Sequence, residues 1–308
     1  MQARFQEKTT PPRFRRRLET SLGLGAMLAA AVLLLMLAVC MPRLRDTQDP
    51  ENRTHKLRVQ MERYGKVEPL ELSPEAEATE PRPEANPYTR RDFQYDRHNY
   101  LYCKRQTSYP GIDVSAFQGN IDWTQVKNSG IRFAMIRLGY RGYGQKGTLV
   151  EDEFAQQNLA GADSAGLALG AYFFSQATSI AEVDEEIDFL LGILGDYHLS
   201  MPIVLDWEYI SDTARTANVD ARTLTDCLLL FCQVMEEKGY QPMVYFNWNQ
   251  SMKMLHLTEL EDYPFWLALY QDKMTYPYRV EMWQWTCTGR VPGINGDVDI
   301  NVYMPDLA

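Results

Sequence analysis

The chain has 308 residues, 45% of them apolar, which suffices for one large domain or two and for a sizeable core. Its net charge is −10, but residues 1–45 carry +6, so residues 46–308 carry −16. An acidic body of that size argues against nucleic acid or an anionic membrane surface as its main ligand.

Residues 1–21 form a short basic tail with Arg4, Lys8, Arg13, Arg15, Arg16 and Arg17 against Glu7 and Glu19. From Leu22 to Met41 twenty residues pass without a charge. A helix of about 20 residues spans roughly 30 Å, the thickness of a bilayer core. Cations precede the run in number, and only Arg43 and Arg45 follow closely, which places the amino terminus inside and everything after the span outside. A cleavable signal peptide fits less well, because Pro42-Arg43 follows where a small-residue site belongs. A lipoprotein box at Leu37-Ala38-Val39-Cys40 lacks the small residue before its cysteine. The expectation is a single-pass cell-membrane anchor at 22–41 with a wall-facing ectodomain. Residues 42–87 are polar and, from Glu68 onward, rich in Glu and Pro; they predict a disordered spacer that supplies reach.

Residues 88–308 are expected to form the folded domain, with 88–110 a Tyr- and Arg-rich lead-in. Strands are predicted at 112–114, 132–138, 169–174, 202–207, 243–246, 265–270, 280–285 and 298–302, and helices at 152–166, 180–195 and 221–238. Alternating strands and helices imply a parallel sheet, and so many within about 200 residues imply a barrel. There is no internal repeat.

Pro202-Ile-Val-Leu-Asp-Trp-Glu-Tyr209 is the stretch that carries chemistry. Its apolar run reads as a buried strand, and it ends in Asp206 and Glu208. Side chains two apart on a strand share a face, so two carboxylates meet at the strand exit, an arrangement suited to cleaving a glycosidic bond. Paired acids in such a place push each other's pKa apart, so that one donates a proton while the other stays charged. Asp113, Asp297 and Asp299 lie at other strand ends. Tyr140, Tyr172, Phe174, Trp207, Tyr245, Trp266, Tyr270 and Trp283 are candidate stacking walls for a sugar chain, with Asp297 as a further substrate contact.

Motifs appear in a recognisable order. They are Gly111-Ile-Asp-Val-Ser-Ala-Phe-Gln-Gly119 with Ile121-Asp122-Trp123, Phe133-Ala-Met-Ile-Arg-Leu-Gly139, Asp152-Glu-Phe154 with Asn158, and Gly166-Leu-Ala-Leu-Gly-Ala-Tyr-Phe-Phe-Ser175. Pro202-Ile-Val-Leu-Asp-Trp-Glu208, Trp266-Leu-Ala-Leu-Tyr270, Trp283-Gln284 and Gly293-Ile-Asn-Gly-Asp-Val-Asp-Ile-Asn301 follow. Over residues 109–305 the chain resembles the glycoside hydrolase family 25 muramidases, the Chalaropsis-type lysozymes. One departure is Phe174, where many members carry His.

The resemblance implies a flattened, incomplete TIM-like β/α barrel that cuts the β-1,4 bond between N-acetylmuramic acid and N-acetylglucosamine in peptidoglycan. It implies Glu208 as general acid and Asp206 as its charged partner, either as nucleophile or by orienting the substrate's acetamido group. Asp113 and Asp299 would line the same cleft, with Asp299 rather than Asp297 matching the motif. A glycan-binding barrel without turnover is the alternative, and a hydrolase of another N-acetylated glycan a third reading. No cofactor is implied. His55, His98, His198 and His256 have no metal-ligand spacing. Cys227 and Cys232 point apart on one helix, and Cys103 and Cys287 could bridge in an oxidising compartment.

Overall fold

A computed structural model describes residues 82–305. The expected basic tail, the membrane span at 22–41 and the spacer up to residue 81 lie outside the described residues. Among the described residues no helix is long and apolar enough to cross a membrane.

The lead-in forms an antiparallel hairpin of β1 (Phe93–Tyr95) and β2 (Leu101–Cys103). Then come β3 (Tyr109–Val114), α1 (Trp123–Asn128), β4 (Phe133–Arg141) and β5 (Leu149–Glu151). Next are α2 (Ala155–Ser164), β6 (Ala168–Ser175), α3 (Ile180–Leu194) and β7 (Ile203–Trp207). The chain ends with α4 (Ala221–Glu237), β8 (Pro242–Asn247), α5 (Trp248–Lys253), β9 (Phe265–Ala268), β10 (Met282–Gly289) and β11 (Val298–Tyr303). Side chains cap the longer helices: Ser179 takes the amide of Glu182 at the start of α3, and Asp220 that of Thr223 at the start of α4.

Two expectations about the barrel are corrected. The ring is not incomplete, because β3 pairs with β4 on one side and β11 on the other. Eight strands therefore close in the order β3-β11-β10-β9-β8-β7-β6-β4, with β5 on the free end of β4. Nor is it wholly parallel. Residues 290–297 join β10 to β11 without a helix, too short a link for a parallel crossover, so β11 runs antiparallel to both neighbours. The missing helices beside β9, β10 and β11 are as expected.

Strand alternation divides the core in two. Outward residues such as Ile136, Leu205, Phe246 and Leu267 join Leu190, Leu228 and Phe231 of the helices in one cluster. Inward residues form a second, with Phe133, Met135, Val204, Met243, Trp266 and Met282 inside the ring. Methionine adapts to so irregular a space. Gly111 and Gly170 make room for it: a Cβ at Gly111 would stand 2.2 Å from the Phe133 ring, and one at Gly170 2.3 Å from the sulfur of Met135. Continuing inward along the same strands, the next layer is Asp113, Arg137, Tyr172, Asp206, Tyr245 and Gln284. The apolar core thus becomes polar at the carboxyl end of the strands, where barrels of this kind place their chemistry.

The hairpin closes the outside of β10, with Phe93 edge-on to Trp283 at 5.1 Å and Tyr95 to Trp285 at 5.6 Å. Residues 84–86, assigned by composition to the spacer, dock here as well. The Asn86 amide donates to the Pro277 carbonyl, the Arg279 amide to the Glu84 carbonyl, and the two side chains of Glu84 and Arg279 pair at 2.8 Å. Cys103, Cys227, Cys232 and Cys287 are all buried free thiols, so the possible 103–287 bridge is not formed.

Candidate active site

Asp113, Asp206 and Glu208 are buried at the mouth of the ring, 6%, 8% and 7% exposed. Asp113 is the last residue but one of β3 and lies directly opposite Asp299 of β11 in the antiparallel ladder. Its Oδ2 accepts from Gln284 Nε2 at 2.8 Å and Asn301 Nδ2 at 2.7 Å. Each amide is fixed in turn: Trp266 Nε1 donates to Asn301 Oδ1 at 2.8 Å, and the Tyr270 hydroxyl to Gln284 Oε1 at 3.0 Å. The two amide donors and a hydrogen bond with Asp299 favour charge on Asp113, but burial outweighs them and pushes its carboxyl up to about 6. The nearby Glu208 carboxylate pushes the same way.

Glu208 follows the last residue of β7, and its Oε1 accepts from the Tyr245 hydroxyl of β8 at 3.2 Å. Tyr245 rests edge-on against Trp266 at 5.0 Å, and Trp266 also meets Tyr172 at 6.3 Å, which makes Trp266 the floor below the acids. The Tyr172 hydroxyl is held well above its ordinary pKa by burial; the charges of Asp113, Asp206 and Asp299 add to this and that of Arg137 opposes it. Tyr270 is raised likewise, first by burial and then by Asp299, Cys287, Glu208 and Asp113. The four carboxylates therefore share one electrostatic neighbourhood. Tyr140, Phe174 and Asp206 lie side by side on β4, β6 and β7, so the two rings flank the acids along the rim.

Three of the expected site residues are not brought here. Trp207 points the other way from Asp206, is 1% exposed, and gives its indole N–H to the Ala177 carbonyl. Trp283 also faces outward, under the hairpin, with its N–H on the Leu269 carbonyl. Both belong to the layer between barrel and covering elements, because odd and even positions of a strand cannot share a face. Asp297 sits on the loop before β11 and pairs with exposed Arg290 at 2.8 Å.

Two buried glutamines escaped the sequence reading. Beyond the end of β7 the carbonyls run out of strand partners, and side chains take over. Gln250 Nε2 donates to the Trp207 carbonyl at 2.5 Å, and Gln176 Nε2 to the Glu208 carbonyl at 2.6 Å. Gln176 is itself held by Thr216 and, at its carbonyl, by Arg215, which pairs with Glu182. These bonds fix the backbone on either side of Glu208. Gln176→Ala strands a buried carbonyl, so stability should drop by about 1–3 kcal/mol. In steady-state kinetics kcat should fall roughly tenfold with KM little changed, whereas a purely structural role would leave kcat of the folded protein intact. Gln284 and Asn301 were visible only as motif letters; their positions two residues beyond Met282 and Asp299 place them on the inward face. Among the described residues no group of His, Cys, Asp or Glu has the geometry to hold a metal ion.

The model of the family "Glycosyl hydrolases family 25" matches residues 112–294, more than half of the chain. The chain belongs to this family and is a glycoside hydrolase. Lysozyme M1 of Streptomyces globisporus is 28% identical over 204 residues, covering 63% of this chain and 67% of its own. The autolytic lysozyme of Clostridium acetobutylicum is 26% identical over 194 residues, 63% of this chain and 55% of that one. In structure the barrel superposes on the modular autolysin LytC of Streptococcus pneumoniae with a TM-score of 0.58 at 23% identity, over 68% of this chain. It spans only 50% of LytC, and that likeness is one of fold.

Proposed function

We propose that the protein is a muramidase that hydrolyses the β-1,4 bond between N-acetylmuramic acid and N-acetylglucosamine in peptidoglycan. The observation that carries this is the convergence of Asp113, Asp206, Glu208 and Asp299 at the mouth of a barrel whose relatives include named lysozymes. Glu208 protonates the leaving oxygen. Asp206, on the same face of the same strand end, is the charged partner at the anomeric carbon, by direct attack or by orienting the acetamido group of the sugar. Asp113 and Asp299, opposite each other on β3 and β11, position the sugar. Tyr140 and Phe174 give the chain a stacking edge.

Purified peptidoglycan digested with the full chain tests the reading by mass spectrometry of released fragments. Reducing N-acetylmuramic acid ends are expected. Reducing N-acetylglucosamine ends would move the bond that is cut, and binding without release would leave a wall-binding module. A smaller effect tests the local geometry. Tyr245→Phe removes the hydroxyl that holds Glu208 Oε1, worth about 1 kcal/mol, and should lower kcat five- to tenfold; an unchanged rate would detach Tyr245 from the acid.

The uncharged run at 22–41 and its basic flank support an anchored enzyme facing the wall. Membrane fractions washed with alkaline carbonate should retain the chain, and its release into the wash would remove the anchor from the proposal.

A further inference from the structure

Two arginines of β4 differ in how they spend their donors. Arg141 is buried and has an acceptor on each of its three nitrogens: Nε bonds Glu186 at 2.7 Å, Nη1 the Gly147 carbonyl at 3.0 Å, and Nη2 both the Glu182 carbonyl and Glu185. It is a structural tie between β4 and α3. Arg137 bonds only Asp152, Nε to Oδ2 at 2.7 Å, and among the described residues its two terminal nitrogens take no further protein acceptor.

Arg137 is nevertheless held still. Asp152 is itself fixed by the amides of Ala116 and Phe154, at 3.0 and 2.9 Å. The guanidinium carbon lies 5.1 Å from the centre of the Phe117 ring and 5.4 Å from that of Tyr140, a cation between two aromatic rings. Phe117 is 44% exposed, a large apolar ring left at the rim. Arg137 stands on the inward face of β4, two residues beyond Met135 and in register with Tyr172. Its charge acts on the same Tyr172 hydroxyl as those of Asp113, Asp206 and Asp299. A rigid guanidinium fork with no protein acceptor on its terminal nitrogens, facing the same Tyr172 as Asp113, Asp206 and Asp299, is a preorganised carboxylate receptor. Without it, those acids would repel any anionic group on the glycan.

We propose that Arg137 determines specificity by binding a carboxylate of the glycan. On the muramidase reading, upon which this rests, that group is the lactyl carboxylate of N-acetylmuramic acid residues that carry no stem peptide.

The test compares two forms of one substrate: glycan strands stripped of stem peptides, and the same strands after their carboxylates are converted to neutral methylamides. kcat/KM is measured on both for the full chain and for Arg137→Gln and Arg137→Lys. The parent should prefer the carboxylate strands at least tenfold. Arg137→Gln should abolish that preference, and Arg137→Lys, which keeps the charge beside Asp152 but loses the fork, should retain part of it. If Arg137→Gln fails to fold, the lysine variant carries the test through a preference reduced at least threefold. A preference that is absent in the parent, or the same within twofold in parent and variants, overturns the carboxylate role while leaving the muramidase. A parent inert on both strands but active on intact peptidoglycan overturns this inference alone, and a parent inert on all three overturns the muramidase reading with it.

Discussion

Glu208→Gln should lower kcat on peptidoglycan by about a thousandfold or more while the protein folds and binds as before. General acid catalysis is worth roughly 10²–10⁴ in rate, and a thousandfold loss corresponds to about 4 kcal/mol of transition-state stabilisation. The amide is isosteric, its oxygen still accepts from the Tyr245 hydroxyl, and the backbone of Glu208 is held independently by Gln176. The loss therefore belongs to the missing proton. A second substrate separates this from displaced geometry. An aryl glycoside whose leaving group departs without protonation should recover most of the variant's rate. A variant crippled equally on both substrates would make Glu208 a structural acid, and one active on both would assign the proton elsewhere.

Much of this site could be read before the fold was in hand, and what could not be read has a common cause. The run Ile203-Val-Leu-Asp-Trp-Glu208 declares its strand by β-branched and apolar residues and its chemistry by two acids of one parity. Asp113 and Asp299 come from opposite ends of the domain, and only the antiparallel return of β11 sets them side by side. The sequence suggested a parallel set, because it shows missing helices but not the reversal that a short connection forces. Trp207 and Trp283 were assigned to the cleft by residue type, yet their parity relative to Asp206 and Met282 sends them outward. Gln176 and Gln250 were illegible for a different reason. They serve carbonyls that a strand leaves unpaired where it ends, and no pattern in the chain marks which carbonyls those are. The 84–86 docking was hidden similarly, since a Glu- and Pro-rich composition predicts solvent and says nothing of a waiting backbone partner at 277–279.

Asp113→Asn should make the protein more stable at neutral pH and a poorer enzyme. In the folded state burial pushes the Asp113 carboxyl up to about 6 from an ordinary 3.8. The native state therefore holds this proton more tightly than the unfolded chain does. Stability from this group is fully present below about pH 4, declines as pH rises from about 4 to about 6, and stays reduced above that. The difference of about two units sets a ceiling of roughly 3 kcal/mol, at 1.36 kcal/mol per unit. Asparagine removes that ionisation. Its oxygen can still accept from Gln284 and Asn301, and its amide can donate to Asp299. Thermal unfolding followed from pH 4 to pH 8 should show parent and variant alike at the acid end. The variant should then pull ahead through pH 6, by about 1–3 kcal/mol or roughly 3–10 °C for a domain of this size. Activity should move the other way, falling ten- to a hundredfold, because asparagine can neither carry the charge nor exchange the proton that Asp113 does beside Glu208. A variant less stable than the parent at pH 7 would mean that the Gln284 and Asn301 amides outweigh the burial of the charge. A gain that does not depend on pH would assign the stabilisation to packing. A gain that is absent at pH 4, grows towards pH 6 and persists above it, paired with lost turnover, identifies Asp113 as a carboxylate kept at the site at the expense of stability because the reaction needs it.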